Sequence, residues 1–384
     1  MLSSFRRNLF FLLIVVLFVS GSVCAVQKGD DDSSPSKTII GLTYNCDFDE
    51  AMRVVDSVSA REPDSIKWRF FRSFVLWQRL IFLDSAGAED KMVETRFMGS
   101  VNEVITYGEK RISRNPSDTN ALFYTGFALG YLAKYDAAEG DKIKAAREAD
   151  KGLSYHKKLV SICPEWYDVY FSEALFNYYT CVLPWYMKPI LFILGRTGSR
   201  NRAYELLSLV STKGTIAKYE AENILGELYE REGRYDSSCF EYSKLITCFP
   251  NSTPYYFDRI IWAFTTGNLY QMVVRKCKEA LEFSKERQMT HWDSLYVGKI
   301  YSRLADAYEK LGDHGEAMET YNELANYSNT PYRVSEAHFS MARLYEQAND
   351  SPDAIREYEW VVNGAAAPEL SKEARERLDD LGVR

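Results

Sequence analysis

Apolar residues along this chain recur at helical spacing, and toward the C-terminus they do so with fixed punctuation. Leu225-Gly226-x-x-Tyr229 sets a small residue and a large one on one helix face. Gly233-Arg234-Tyr235-Asp236 reads as a turn. Ser238, Tyr242 and Leu245 continue the stripe on a second helix, and Pro250 stops it. The pattern predicts a helical hairpin in which Gly226 lets the two helices approach closely. It recurs twice. Leu304-Ala305-x-x-Tyr308 leads to Gly312, Ala317, Tyr321 and Leu324. Met341-Ala342-x-x-Tyr345 leads to Ala354, Tyr358 and Val361, each 37 residues after its counterpart.

Looser copies lie upstream. Phe48-Asp-Glu-Ala51 opens a second helix with Val55 and Val58 on its stripe and Pro63 at its end, the spacing of Ser238 to Pro250. Asn115-Pro116 and Cys163-Pro164 close two long helical stretches, and Gly126, Ala128 and Gly130 sit on a helix that begins near Thr119. Residues 255–285 form an irregular hairpin around Gly267-Asn268. Sustained period-two runs are missing, and no Asn-Gly hairpin turn joins two such runs, so strands are not expected.

This register resembles the tetratricopeptide repeat, a helix pair of about 34 residues. The resemblance implies an all-α fold: a TPR-like α-solenoid, a right-handed superhelix of about eight hairpins, each packing on its neighbours. It divides the chain into long irregular hairpins over 42–217, regular ones over 218–366, and a polar capping helix in 367–384.

The N-terminus changes the setting. Arg6 and Arg7 precede an apolar run from Leu9 to Val19, and Val23-x-Ala25 suits signal-peptidase cleavage after Ala25. The expectation is a signal peptide over 1–25 and export to the periplasm or cell envelope. An uncleaved anchor and a lipoprotein acylated at Cys24 are the alternatives. Residues 26–41, with Asp30-Asp31-Asp32, read as a flexible linker. The whole chain carries 47 basic and 54 acidic side chains, a net charge of −7. Loss of the two arginines in residues 1–25 brings that to −9. No Lys/Arg cluster stands out, which argues against nucleic acid as partner and against docking on anionic lipid by charge. Six cysteines remain: 46, 163, 181, 239, 248 and 277. Cys239 and Cys248 would stand roughly 13 Å apart along one helix, beyond bridging distance. The reading is small thiols at helix contacts, with a Cys248–Cys277 bridge left open.

Chemistry is not signalled. His156, His291, His314 and His338 form no metal-ligand spacing, and Gly195-Arg-Thr-Gly198-Ser199 lacks the lysine of a phosphate loop. Ser199 instead reads as the cap of the next helix. No catalytic residue, metal or cofactor is expected.

One segment breaks the repeat. Residues 182–195 interrupt the fourth hairpin with an apolar stretch that includes Pro184, Trp185, Tyr186, Met187, Pro189 and Phe192. It either dips into a membrane interface, lines an apolar cavity for a ligand or partner helix, or folds back as extra core. Together with Tyr44-Asn45-x-x-Phe48 and Glu173-Ala-Leu-Phe-Asn177, this segment is similar to a family of exported bacterial tetratricopeptide proteins of undefined role. The similarity implies a fold and no reaction.

Proteins with this repeat commonly bind a peptide on the concave surface lined by the first helix of each pair. Carried over residue by residue, that surface comprises Asn223, Glu227 and Glu230; Lys299, Ser302, Arg303 and Asp306; and Phe339, Arg343 and Glu346. Their mixed charge argues against a single-sign carboxylate clamp. The expected function is a non-enzymatic scaffold for a protein or peptide partner. The alternative is a lipid- or apolar-ligand-binding protein that uses residues 182–195.

Overall fold

The computed structural model describes residues 34–86, 90–182, 198–285, 291–328, 330–364 and 366–383. Among them are α-helices, two short 3-10 turns and no strand. The helices follow in consecutive pairs: α1 Pro35–Tyr44 and α2 Phe48–Arg61; α3 Ile66–Ala86 and α4 Lys91–Arg114; α5 Thr119–Ala138 and α6 Lys142–Ile162; α7 Tyr170–Val182 and α8 Arg200–Lys213. Four more pairs are α9 Lys218–Arg231 and α10 Tyr235–Cys248; α11 Thr253–Thr266 and α12 Tyr270–Lys285; α13 His291–Leu311 and α14 His314–Tyr327; α15 Pro331–Gln347 and α16 Ser351–Gly364. A last helix, α17 Pro368–Asp380, follows them.

Two kinds of chain reversal alternate. From first to second helix the chain turns through one left-handed residue: Cys46, Gly140, Gly233, Asn268, Gly312 or Asn349, with φ between 55° and 91°. Each closes with a hydrogen bond five residues back, such as Arg234 N–H to Tyr229 O at 2.8 Å and Leu269 N–H to Phe264 O at 2.9 Å. This takes up carbonyls that a helix end leaves unpaired. From second helix to the next first helix, a residue before proline is driven extended. Glu62, Asn115, Cys163, Phe249 and Ala367 have φ between −142° and −130° and precede Pro63, Pro116, Pro164, Pro250 and Pro368.

The chain divides into two compact units. One takes residues to Leu80 with Asp90–Ala221, and the other takes Ile81–Glu89 with Glu222–Arg384. The first has an aromatic core. Phe70 and Trp77 both stack on Tyr131, at 5.8 and 5.6 Å between ring centres, and Phe123 stacks on Trp166 at 4.3 Å. α5 buries residues on all its faces, including Leu122, Phe123, Tyr124, Phe127 and Leu129, as expected of a helix covered all round. Its first turn is capped by Asp118, whose carboxylate accepts from Ala121 N–H at 3.0 Å and pairs with Arg111 at 2.8 Å.

Two buried polar groups pin this core. His156 lies between α5 and α7: Nε2–H donates to Phe123 O at 3.0 Å, and Nδ1 accepts from the Ser172 hydroxyl at 2.8 Å. Gly126 faces the imidazole, where a Cβ would clash with the ring. Asp168 accepts from Thr215 N–H (2.9 Å), Thr215 Oγ1–H (3.0 Å) and Ala217 N–H (2.8 Å), tying the fourth hairpin to the loop before α9. Burial raises its carboxyl pKa against these three donors.

The structure alters some expectations. α1 begins at Pro35, inside the segment read as linker, and its Ile39, Ile40, Thr43 and Tyr44 are buried. No two described cysteines are bridged to each other, so Cys248 and Cys277 form no bridge. Cys163 and Cys277 are the buried ones, while Cys248 is exposed. Ser199 caps α8, accepting from Arg202 N–H at 3.3 Å. The expected signal peptide 1–25, and all of the insertion 182–195 after Val182, lie outside the described residues.

His156 supplies a pH test. Burial holds its imidazole down to about 4, from 6.5 for an exposed histidine. The unfolded chain therefore binds that proton more tightly. The contribution to stability is full above pH 6.5 and is lost as pH falls from about 6.5 toward about 4, by up to about 3 kcal/mol. Urea melts at pH 7 and pH 4.5 check this. The wild-type chain should lose about 2 kcal/mol more than His156→Gln between the two conditions, and equal losses would refute the assignment.

Candidate interaction surface

The left-handed residues Gly233, Asn268, Gly312 and Asn349 set the first helices α9, α11, α13 and α15 in one register. Seven residues before them stand Gly226, Ile261, Ala305 and Ala342, all buried. Sixteen residues further on, three of the four second helices carry a tyrosine, and the α12 position is Cys277. Tyr242, Tyr321 and Tyr358 are fully buried, and a Cβ on Gly226 would come within 2.7 Å of the Tyr242 ring.

Each phenol reaches past the contact to a charged group. Arg259 donates to Tyr242 Oη at 3.2 Å, while the Tyr321 hydroxyl donates to Asp306 at 2.7 Å and that of Tyr358 to Glu346 at 2.9 Å. Burial raises the pKa of all three phenols, so they stay protonated.

The same register defines three rows on the first helices. One holds Asn223, Asp258, Ser302 and Phe339. The next holds Glu227, Trp262, Asp306 and Arg343. The third holds Glu230, Thr265, Glu309 and Glu346. Charges in these rows pair from one hairpin to the next. Glu227 meets Arg259 at 2.7 Å; Asp258 meets Lys299 at 2.7 Å and Arg303 at 2.9 Å. Ser302 donates to Glu336 at 3.3 Å, Glu309 meets Arg343 at 2.9 Å, and Glu346 meets Arg377 of α17 at 3.5 Å. Many of the residues expected to face a partner are therefore paired with side chains of the neighbouring hairpin or of α17, and bolt adjacent helices together.

The other expected positions are placed as follows. Phe339 is not on the groove: it is buried in the core of the last hairpin, edge-on to Tyr358 at 5.5 Å. Asn223 is half-buried, and its Oδ1 lacks a hydrogen-bond partner among the described residues. Burial raises the carboxyl pKa of Glu230. Pro184, Trp185, Tyr186, Met187, Pro189 and Phe192 lie outside the described residues.

α11 contributes what sequence reasoning missed. Trp262 is 41% exposed. The Arg303 guanidinium lies over its ring at 4.8 Å from the centroid, a cation–π contact. Asp258, only 3% exposed at its side chain, holds both Lys299 and Arg303 in place. Burial lowers the Lys299 pKa despite that carboxylate. Aligning Asn268 with Gly233 would have found these positions. Ile261 at the usually small site hid them.

Among the described residues no His, Cys, Asp and Glu group is arranged to hold a metal ion. No described helix is long and apolar enough to cross a membrane.

Helical hairpins follow one another along the described chain, and in the second unit their first helices keep one register, the architecture of an α-solenoid. The family model of the tetratricopeptide repeat matches residues 298–330, which span α13 and α14. The hairpins at α9–α10 and α15–α16 repeat the same turn, small position and tyrosine. The chain therefore carries a tetratricopeptide repeat over α13 and α14, with two further hairpins built to the same plan. No curated protein matches it by sequence. Solved structures resemble it distantly. The apo quorum sensor NprR from B. thuringiensis is 10% identical, covers 91% of this chain and 82% of its own, and has a TM-score of 0.48. The Cut9–Hcn1 heterotetramer of the APC/C is 13% identical at TM-score 0.44, covering 91% of this chain but only 57% of that one, so this chain spans little more than half its length. A tetratricopeptide protein of Thermus thermophilus is 16% identical at TM-score 0.37, covering 61% of this chain and 100% of its own.

Asp258 tests the bolting. Asp258→Ala leaves Lys299 and Arg303 without their shared anion, and should destabilise the chain by about 3 kcal/mol in chemical denaturation. A loss below about 1 kcal/mol, the range of an exposed pair, would contradict the structure.

Proposed function

We propose that this protein is a non-enzymatic scaffold that binds a protein or peptide partner on the rows of its first helices, centred on Trp262. One observation carries the reading: an exposed indole covered by the Arg303 guanidinium, which Asp258 holds in place, on a strip of charges already paired in position. A large aromatic that is ordered before binding loses little freedom on contact, which is why tryptophan and arginine dominate binding hot spots. The flanking charges of both signs supply orientation, as complementary interfaces use them. The setting proposed for this activity is the periplasm or cell envelope, on the strength of the segment Arg6 to Ala25.

Two measurements check these statements. Trp262→Ala should weaken capture of the native partner by at least about ten-fold, the scale of a hot-spot residue, with an unchanged circular dichroism spectrum. An identical set and amount of captured protein would exclude Trp262 as the centre. N-terminal sequencing of the protein from its native host should begin at Val26. A chain that begins at Met1 in the cytosolic fraction would remove the envelope assignment.

A further inference from the structure

The last turn of α3, from Ile81 on, belongs to the second unit and lies on that unit's first helices as a ligand would. Phe82 and Leu83 are buried. The Phe82 ring packs on Tyr255 of α11 at 6.1 Å and edge-on against Tyr296 of α13 at 5.0 Å. The end of a helix leaves carbonyls unpaired and carries partial negative charge. Both features are met here. The Tyr296 hydroxyl donates to Phe82 O at 2.9 Å, and the Lys299 ammonium donates to Ser85 O at 2.8 Å while held by Asp258 at 2.7 Å. Two aromatic walls take the Phe82 ring, and two donors read the carbonyls of its helix end.

The contact spans 214 residues of sequence. Helical repeats gain their stability from nearest neighbours, and the hairpins from α9 to α16 are bolted to one another without it. Tyr255 and Lys299 share one register position, six residues before Ile261 and Ala305, on the helices that carry the proposed partner surface. Asp258 joins the two places: one oxygen holds Lys299 under α3, and the other holds Arg303 over Trp262.

We propose that the end of α3 is an internal ligand of the groove formed by α11 and α13, and that a partner helix ending in the same Phe-Leu pair with exposed C-terminal carbonyls competes for that seat. This rests on the scaffold reading and adds the chemical class of partner and an autoinhibitory contact. Lys299 supports it, because its buried ammonium is desolvated while the seat is filled and rehydrates when the end of α3 lifts away.

The probe is a fluorescent, C-terminally amidated peptide of residues 70–86, titrated with the full chain. Phe82→Ala, which weakens the internal end alone, should bind the peptide at least ten-fold more tightly than wild type. Adding Lys299→Met to that variant should remove the gain. Equal affinity for wild type and Phe82→Ala, or no binding to either, overturns the proposal. Should Phe82→Ala fail to fold by circular dichroism, Phe82→Leu carries the same comparison, with about a three-fold gain expected and no gain overturning it. The result is separable from the scaffold test. A null peptide result beside Trp262-dependent capture removes the internal ligand alone. A peptide gain beside unchanged capture removes Trp262 as the partner site alone.

Discussion

The second unit depends on one contact: a second-helix tyrosine lying against a small residue of the first helix. At Tyr242 and Gly226 the approach is so close that even a methyl group would meet the ring at 2.7 Å. The ring fills the hairpin, and its hydroxyl emerges among the charges of the first helices. Tyr321 and Tyr358 do the same beside Ala305 and Ala342, ending on Asp306 and Glu346. Core packing and surface electrostatics are thus set by the same side chain. A tyrosine-to-phenylalanine change leaves the packing intact while freeing the charge that the phenol orients.

The two reversals make that contact repeatable. A left-handed residue folds the second helix back on the first at a fixed phase, and an extended residue before proline releases the chain to the next hairpin. Glycine suits the first position because it lacks a Cβ, and asparagine tolerates it. Cys46, with φ of 64°, is the departure, in the short α1–α2 hairpin.

Much of this was legible in the sequence because it is local. Gly226, Ala305 and Ala342, their tyrosines, and the prolines at 63, 116, 164 and 250 mark helices, contacts and ends within single hairpins. Where a hairpin satisfies the same geometry with other residues, the pattern fades: Asn268 replaces glycine and Ile261 replaces the small residue, so Asp258 and Trp262 went unprojected. Pairings were legible least. A carboxylate at 227 or 309 has the composition of a solvated face, and only the fold shows an arginine waiting at 259 or 343. Phe339 belongs to the groove by register, but the last hairpin draws its ring inward against Tyr358. The seat of Phe82 lies 214 residues from the helix that supplies it, and no periodicity encodes such a distance.

The bridges between first helices also constrain how such an array changes over time. Each rung is shared: one repeat supplies the acid and the next supplies the base. Glu227 needs the arginine at 259, Asp258 the cations at 299 and 303, and Glu309 the arginine at 343. Deleting, duplicating or exchanging a single hairpin would join an acid to an acid, or leave a buried charge facing nothing. The hairpins look alike in outline, yet they are not interchangeable parts. Their order is written into the chain, and substitutions at one rung are tolerated only with a matching change one repeat away.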